Sequence, residues 1–139
     1  MRSTIMYKIA FLFTLLSSSV ALADVAVIVH PSNGSDINKD TVERIFIGKE
    51  KSFSNGNKAI PISQASGATA DEFNQKALNK SSGQLKAYWS KLVFTGKGTP
   101  PKEVDNDAEV IQLVSSNPDT IGFVDAGSVT DAVKVVTTF

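Results

Sequence analysis

The stretch from Ala59 to Phe73, AIPISQASGATADEF, decides the fold. Its apolar run ends at Ile62, a turn of small residues follows, and an amphipathic helix is predicted to begin near Ser66. The first amides of a helix have no partner inside it, and Gly67 lets a ligand approach them. Because the positive end of the helix dipole favours an anion, Ser66, Gly67 and Thr69 form a candidate anion site. The alternative is that Ser66 caps the helix and no ligand binds.

The first 23 residues are predicted to be a secretion signal rather than part of the fold. A basic start is followed by an apolar core from Ile9 to Val20 and by a small-residue cleavage signature, Ala21 to Ala23. The apolar core is about 12 residues long, against the roughly 20 that a membrane-spanning helix needs. We therefore expect a mature protein that begins at Asp24 in the bacterial periplasm, without membrane insertion.

Removal of this signal leaves residues 24–139, which is the length of one ordinary domain. Without Arg2 and Lys8, 12 basic residues remain against 14 acidic ones, so the formal net charge is −2. This balance argues against nucleic acid or an anionic membrane surface as the main partner, but it does not exclude one small anion. The chain has no cysteine, which excludes disulfides and thiolate metal sites.

Apolar runs typical of strands alternate with amphipathic helices along the chain. The strands are predicted at Asp24–Val29, Ala59–Ile62, Thr120–Asp125, with an interruption at Gly122, and Ala132–Val136. Four helices are predicted between the first and the third of these strands. The alternation predicts a single α/β domain, a three-layer sandwich with a mostly parallel central sheet.

Two loops follow predicted strands and are expected to meet. In open parallel sheets, ligands bind in the crevice beyond the carboxyl ends of the strands. The loop from His30 to Gly34 and the loop from Gln64 to Thr69 both follow such ends. Ser32 and Gln64 therefore join Ser66, Gly67 and Thr69 as candidate ligand-binding residues.

Other motifs do not support a nucleotide, a metal or catalysis. Phe94 to Pro101 is rich in glycine, but it lacks the glycine and lysine spacing of a phosphate loop. The acidic residues from Glu103 to Glu109 alternate as in a calcium loop, but Val110 stands where that loop needs glycine. His30 is the only histidine, and it is interpreted as a structural residue at a strand end. We expect no cofactor, no metal and no enzymatic activity.

Together, the motifs resemble the periplasmic phosphate-binding proteins of ABC transporters, in the type 2 periplasmic-binding-protein-like superfamily. The segments that carry the resemblance are Ile45–Lys49, Asn55–Gly56, Ile60–Ile62, Ser66–Gly67, Phe73, Tyr88–Trp89, Phe94–Pro101 and Asn117–Val124. The resemblance implies a short, single-lobe member of a family whose full-length proteins close two lobes around phosphate. Ser66 and Gly67 match the family's Ser-Gly. Ala68 replaces its threonine, and the three residues Ile62–Gln64 provide no arginine.

The resemblance implies a solute-binding protein that is linked to phosphate uptake or sensing through an ABC transporter. Because a single lobe supplies about half of the ligands, a second copy of the chain or another envelope protein is expected to complete the cleft. The alternative is an envelope accessory protein that keeps the lobe fold, docks a protein partner and binds no solute. Phosphate binding distinguishes the two functions.

Overall fold

The structure, a computed structural model, describes residues 24–139, and the predicted signal at residues 1–23 lies outside this part. The strands are β1 (Val25–Val29), β2 (Ile60–Gln64), β3 (Lys102–Val104), β4 (Thr120–Asp125) and β5 (Lys134–Thr138). The helices are α1 (Lys39–Phe46), α2 (Ala68–Leu78), α3 (Ser82–Phe94) and α4 (Asp107–Ser116), and a 3-10 turn at Ala126–Ser128 follows β4. None of the helices described is long and apolar enough to cross a membrane.

The five described strands form one sheet in the order β3-β2-β4-β1-β5. Strand β2 pairs in parallel with β3 and β4, whereas β1 pairs antiparallel with β4 and β5. Four of the strands in residues 24–139 therefore run in one direction, and β1 runs against them. This arrangement confirms the predicted α/β fold with a mostly parallel sheet.

Helices cover both faces of the sheet. On one face, α1 and α2 pack through Phe46 and Phe73 against Phe123 of β4, and the rings of Phe73 and Phe123 are stacked with centroids 3.9 Å apart. On the other face, Val110 and Val114 of α4 lie in a second apolar cluster. Because both faces are covered, all five residues of β1 are buried, which explains its continuous apolar sequence. These layers confirm the predicted sandwich.

Strand β4 runs through Gly122 without a break, so the predicted interruption is wrong. A Cβ atom at this position would lie 2.5 Å from Cγ1 of Val110 and 3.4 Å from Cγ2 of Val114. Glycine in a strand often marks the close approach of another element, and here that element is α4. Gly122 therefore sets the distance between α4 and the sheet.

The edge strand β3 was not predicted from the sequence. It has three residues, and Lys102 and Glu103 are exposed, so no apolar pattern marks it. Its position comes from parallel pairing with β2, in which Ile62 lies opposite Lys102 and Gln64 opposite Val104. The last strand, β5, lies two residues further along than its prediction and ends at Thr138.

Candidate functional site

Helix α2 begins at Ala68, two residues after the predicted start, and its N-cap residue is Gly67. Gly67 has an extended backbone, and no side chain of the described residues caps the helix. The alternative in which Ser66 caps α2 is therefore wrong. Since the first amides of a helix have no partner inside it, those of α2 are available to a ligand.

The start of α2 borders an open depression of about 470 Å³. From the α2 side it is lined by Gln64, Ser66, Gly67, Ala68 and Thr69, and from the α4 side by Asp105, Asn106, Asp107, Ala108 and Ser128. Ser66 and Gly67 are exposed, and Thr69 is half-buried. The structure thus brings together four of the five residues predicted from the sequence: Gln64, Ser66, Gly67 and Thr69.

Ser32, the fifth predicted residue, follows the end of β1 and lies at the opposite end of the strands, beside the start of β4. Val25 pairs with Asp125, and Val29 pairs with Ile121, so β1 runs towards the start of β4. Strand β2 runs with β4 and ends beside the end of β4. The expectation that the two loops meet was wrong because it assumed that β1 is parallel to β2. The Ser32 hydroxyl instead lies 2.7 Å from Nδ1 of His30.

Gln64 lines the depression, but its side-chain amide donates to other groups of the protein. Its Nε2 donates to Oδ1 of Asp107 at 2.6 Å and to the backbone oxygen of Phe123 at 3.0 Å. Both amide hydrogens are used by these two bonds, which leaves the acceptor Oε1. Gln64 therefore joins β2 to α4 and β4 and orders the loop that leads to Ser66.

The Asp107 carboxylate is held by three donors. Besides Gln64, the Ser128 hydroxyl donates to its Oδ2 at 2.7 Å, and the Asp125 amide donates to the same oxygen at 3.3 Å. These bonds tie the start of α4 to the end of β4. They also offset part of the negative charge at this side of the depression. Among residues 24–139, no group of three or more histidine or acidic side chains is placed to hold a metal ion.

The amino-terminus of α4 is satisfied by its own side chains. Oδ1 of Asn106 accepts a hydrogen bond from the Glu109 amide at 3.0 Å. The Glu109 carboxylate reaches back to the Asp105 amide at 2.8 Å. Asp107 and Glu109 add negative charge to the first turn, where the helix dipole favours it. Of the two helix starts that line the depression, that of α2 is the one left open to an anion.

A larger cleft of about 780 Å³ lies on the other side of Gln64 and Ser66. It is lined by residues of β2, α2, α3 and the segment that leads into β3, and its apolar lining includes Phe73, Leu85, Trp89, Val93, Phe94, Pro100 and Pro101. Trp89, within this lining, is buried. The cleft was not predicted from the sequence. The available signal was the pair Val93 and Phe94 at the end of α3, directly before a glycine-rich loop.

No protein-family model matches this chain, and no curated protein matches it. Solved structures do match. An ABC-type phosphate transport receptor from Vibrio cholerae aligns with a TM-score of 0.62 and 16% identity, over 83% of this chain and 46% of that one. A putative phosphate ABC transporter substrate-binding protein from Clostridium perfringens, solved with bound phosphate, gives a TM-score of 0.63 and 18% identity, over 83% and 45%.

PstS from Borrelia burgdorferi is similar to the same extent, with a TM-score of 0.59 and 17% identity, over 83% of this chain and 47% of that one. The chain therefore spans less than half the length of the structures that it matches. Identities this low establish the fold alone. Residues 24–139 have the fold of one part of a phosphate-transport binding protein.

Proposed function

We propose that this protein is a periplasmic solute-binding-type protein that binds a small oxyanion at the start of α2, with phosphate as the first candidate. The observation that carries the proposal is the Gly67 N-cap, which leaves the first amides of α2 without a side-chain partner among the described residues. Support also comes from the fold, which is similar to a protein solved with bound phosphate.

The proposed site offers donors from backbone and side chains. The amides of Ala68 and Thr69 lie at the positive end of the α2 dipole, which is equivalent to roughly half an elementary charge. The hydroxyls of Ser66 and Thr69 border the same depression and add two more donors. A hydrogen bond to a charged group contributes about 1.5 to 3 kcal/mol, so a few of them suffice for measurable binding.

No arginine takes part in the proposed site. Arg44, the single arginine of residues 24–139, lies on α1, where its Nε is 3.1 Å from the Glu50 carboxylate. The lack of one charge-assisted hydrogen bond lowers the affinity for the anion by roughly 10-fold to 100-fold. We therefore propose modest affinity for a single copy, and tighter binding when a second copy or another envelope protein supplies the facing wall.

The acidic side chains in the depression affect which anion it accepts. Asp105 and Asp107 line the wall opposite Ser66 and Gly67. A carboxylate repels a fully ionised anion, but it accepts a hydrogen bond from an oxyanion that still carries a proton, as hydrogen phosphate does. The proposed role is binding without catalysis, in phosphate uptake or sensing linked to an ABC transporter.

Substitution of Gly67 tests this proposal. A Cβ atom at this position has no other heavy atom within 4 Å, and the extended backbone suits any residue. Both Gly67→Asp and Gly67→Ala are therefore expected to fold. Gly67→Asp places a carboxylate where the anion is proposed to sit and is expected to abolish phosphate binding, whereas Gly67→Ala retains it within a few-fold. If Gly67→Asp binds phosphate like the unmodified protein, the site is elsewhere.

An interaction function without a solute is the second candidate. The observation that favours it is the charge of the depression, whose lining holds Asp105 and Asp107 but no lysine or arginine. Such a wall suits the basic surface of an envelope protein. Stoichiometric co-purification of a basic partner, together with no phosphate binding by the unmodified protein, would support this function over the first.

A further inference from the structure

The dipeptide Asn-Gly occurs twice in the chain, at Asn33–Gly34 and at Asn55–Gly56. Because glycine has no Cβ, its amide nitrogen can approach the side-chain carbonyl of the preceding asparagine with little steric hindrance. Attack of this nitrogen on Cγ is the first step of asparagine deamidation. The two sites have the same local chemistry, so their surroundings decide which of them reacts in the folded protein.

The two asparagine side chains also share a hydrogen bond that assists the attack. Oδ1 of Asn55 accepts from the Asn57 amide at 2.9 Å, and Oδ1 of Asn33 accepts from the Ser35 amide at 3.0 Å. A donor at this oxygen withdraws electron density from Cγ and stabilises the negative charge that the oxygen gains when a nucleophile adds. This bond therefore favours neither site over the other.

Asn55 lies in a turn that is open to solvent. Residues 54–58 are exposed, and a Cβ atom placed on Gly56 would have no other heavy atom within 4 Å. The Gly56 amide donates to the Phe53 oxygen at 2.9 Å. This bond closes an exposed turn, and exposed turns open locally at little cost in free energy. Base can therefore reach the Gly56 amide proton, and the reacting groups have room to meet.

Asn33 is held in a buried position instead. Its side chain is 3% exposed, and its Nδ2, the nitrogen that deamidation releases, is shielded from solvent. The Asn33 amide donates to the His30 oxygen at 2.9 Å, and the Asn33 oxygen accepts from Nζ of Lys134 on β5 at 3.1 Å. Deamidation of Asn33 therefore requires its loop to leave the place that it has in the fold.

We propose that Asn55 is a site of deamidation in the folded protein and that Asn33 is protected. Base removes the Gly56 amide proton, the nitrogen bonds to Cγ of Asn55, and the Cγ–Nδ2 bond breaks with release of ammonia. Water then opens the resulting succinimide ring at either carbonyl, which yields aspartate or isoaspartate. Residues 24–139 then have 12 basic and 15 acidic groups, so the formal net charge changes from −2 to −3.

The isoaspartate product changes the main chain as well as the charge, because it adds a carbon atom between residues 55 and 56. The same turn holds Phe53, which is buried in the core, and Ser54, whose Oγ accepts from the Asp36 amide at 3.0 Å. We therefore expect the isoaspartate form to unfold at a lower temperature than Asn55→Asp, in which the main chain is unaltered. The turn precedes β2, whereas the proposed phosphate site follows it, so phosphate binding is expected to be unchanged.

Peptide mass analysis of protein that has been incubated at mildly alkaline pH tests the proposal. Trypsin cleaves after lysine and releases Asn55 in the peptide of residues 52–58, whereas Asn33 is released in a peptide that ends at Lys39. Deamidation raises the mass of a peptide by the difference between an OH and an NH2 group, and fragmentation locates the modified residue. We expect Asn55 to react at least about tenfold faster than Asn33 in the folded protein, since Asn33 first requires local opening.

Incubation in urea provides the matched control. In the unfolded chain both sites are exposed Asn-Gly dipeptides, and we expect their rates to agree within a few-fold. A second control is Asn55→Gln, which retains the amide but would have to close a larger ring. This variant is expected to lose the change in net charge that ion-exchange chromatography detects in the unmodified protein.

Three results would overturn the proposal. Equal rates at Asn33 and Asn55 in the folded protein would show that burial does not select the site. Reaction of Asn55 in urea but not in the folded protein would show that the turn is held too firmly for the ring to close. An undiminished change in charge in Asn55→Gln would place the reaction elsewhere. None of these results bears on phosphate binding, so the two proposals can fail separately.

Discussion

Helices α2 and α4 begin beside the same ends of the parallel strands, on opposite faces of the sheet. Their first amides differ in that those of α4 have a side-chain cap and those of α2 have none among the described residues. Asn106 caps α4 with its side chain, and Asp107 and Glu109 place negative charge in its first turn. Helix α2 starts from Gly67, and no described side chain caps it. The fold thus satisfies the first amides of one helix with its own side chains and leaves those of an adjacent helix without a side-chain cap among the described residues.

The two helices are also anchored differently. Phe73 of α2 lies between Phe46 and Phe123, with ring centroids 4.8 and 3.9 Å away. Helix α4 rests on β4 through Val110, which fits against the bare backbone of Gly122. The open start of α2 is therefore held by an aromatic core, and the closed start of α4 by a close backbone contact.

The largest expected effect tests the anchor of α2. Phe73→Ala removes a fully buried ring from the aromatic cluster and is expected to lower the free energy of unfolding by about 3 to 5 kcal/mol. Phe94→Ala removes the same atoms from an exposed site and is expected to change it by less than about 0.5 kcal/mol. Urea unfolding of both variants measures the difference. Equal effects would contradict the assigned core.

A smaller effect tests the anchor of α4. Gly122→Ala places a methyl group where Val110 leaves no room and is expected to cost about 1 to 3 kcal/mol. Gly67→Ala, where a Cβ atom meets nothing within 4 Å, provides the matched control and is expected to cost little. Thermal unfolding of the two variants side by side checks this. If Gly122→Ala is as stable as the unmodified protein, α4 can move away from the sheet.

A third prediction concerns the closed helix start. Asn106→Ala removes the side chain that accepts from the Glu109 amide and is expected to destabilise the protein by about 1 kcal/mol. Asn106→Asp retains an acceptor and is expected to restore most of that stability. Chemical denaturation of both variants measures the contribution of the cap. If Asn106→Ala leaves the free energy of unfolding unchanged, the acidic residues of the first turn are sufficient without the cap.

The smallest effect concerns the open helix start. Gly67→Asp supplies the missing cap, and we expect it to raise the free energy of unfolding by a few tenths of a kcal/mol. Thermal unfolding without phosphate measures this change. A clear loss of stability would show that the Gly67 position is more constrained than its free space indicates.

The sequence contains enough information for the layers and for the presence of α2, but it left open whether Ser66 caps that helix. The apolar run of β1 and the spacing around Phe73 predict a buried strand and a core-facing helix, and small residues before Ala68 mark the start of α2. The direction of β1 was not predictable, because a strand that is buried on both faces has the same composition in either orientation. For that reason Ser32 was predicted at the wrong end of the strands.

Other features depend on contacts between distant parts of the chain. The Gln64 side chain is held by Asp107, 43 residues later, and no local pattern connects them. Strand β3 is short and exposed, so its pairing with β2 determines it rather than its own residues. The acidic wall of the depression likewise forms only when α4 docks beside the end of β2. Local sequence placed Ser66, Gly67 and Thr69 together near the start of α2, but it did not predict the acidic side chains that face them.

Calorimetric titration with phosphate in a phosphate-free buffer, on the unmodified protein and Gly67→Asp in parallel, is the most direct test of the proposed anion site. We expect saturable binding by the unmodified protein. We also expect complete loss of that binding in Gly67→Asp, which remains folded. Equal binding by both proteins, or neither heat nor thermal stabilisation of the unmodified protein at millimolar phosphate, would contradict an anion site at the start of α2.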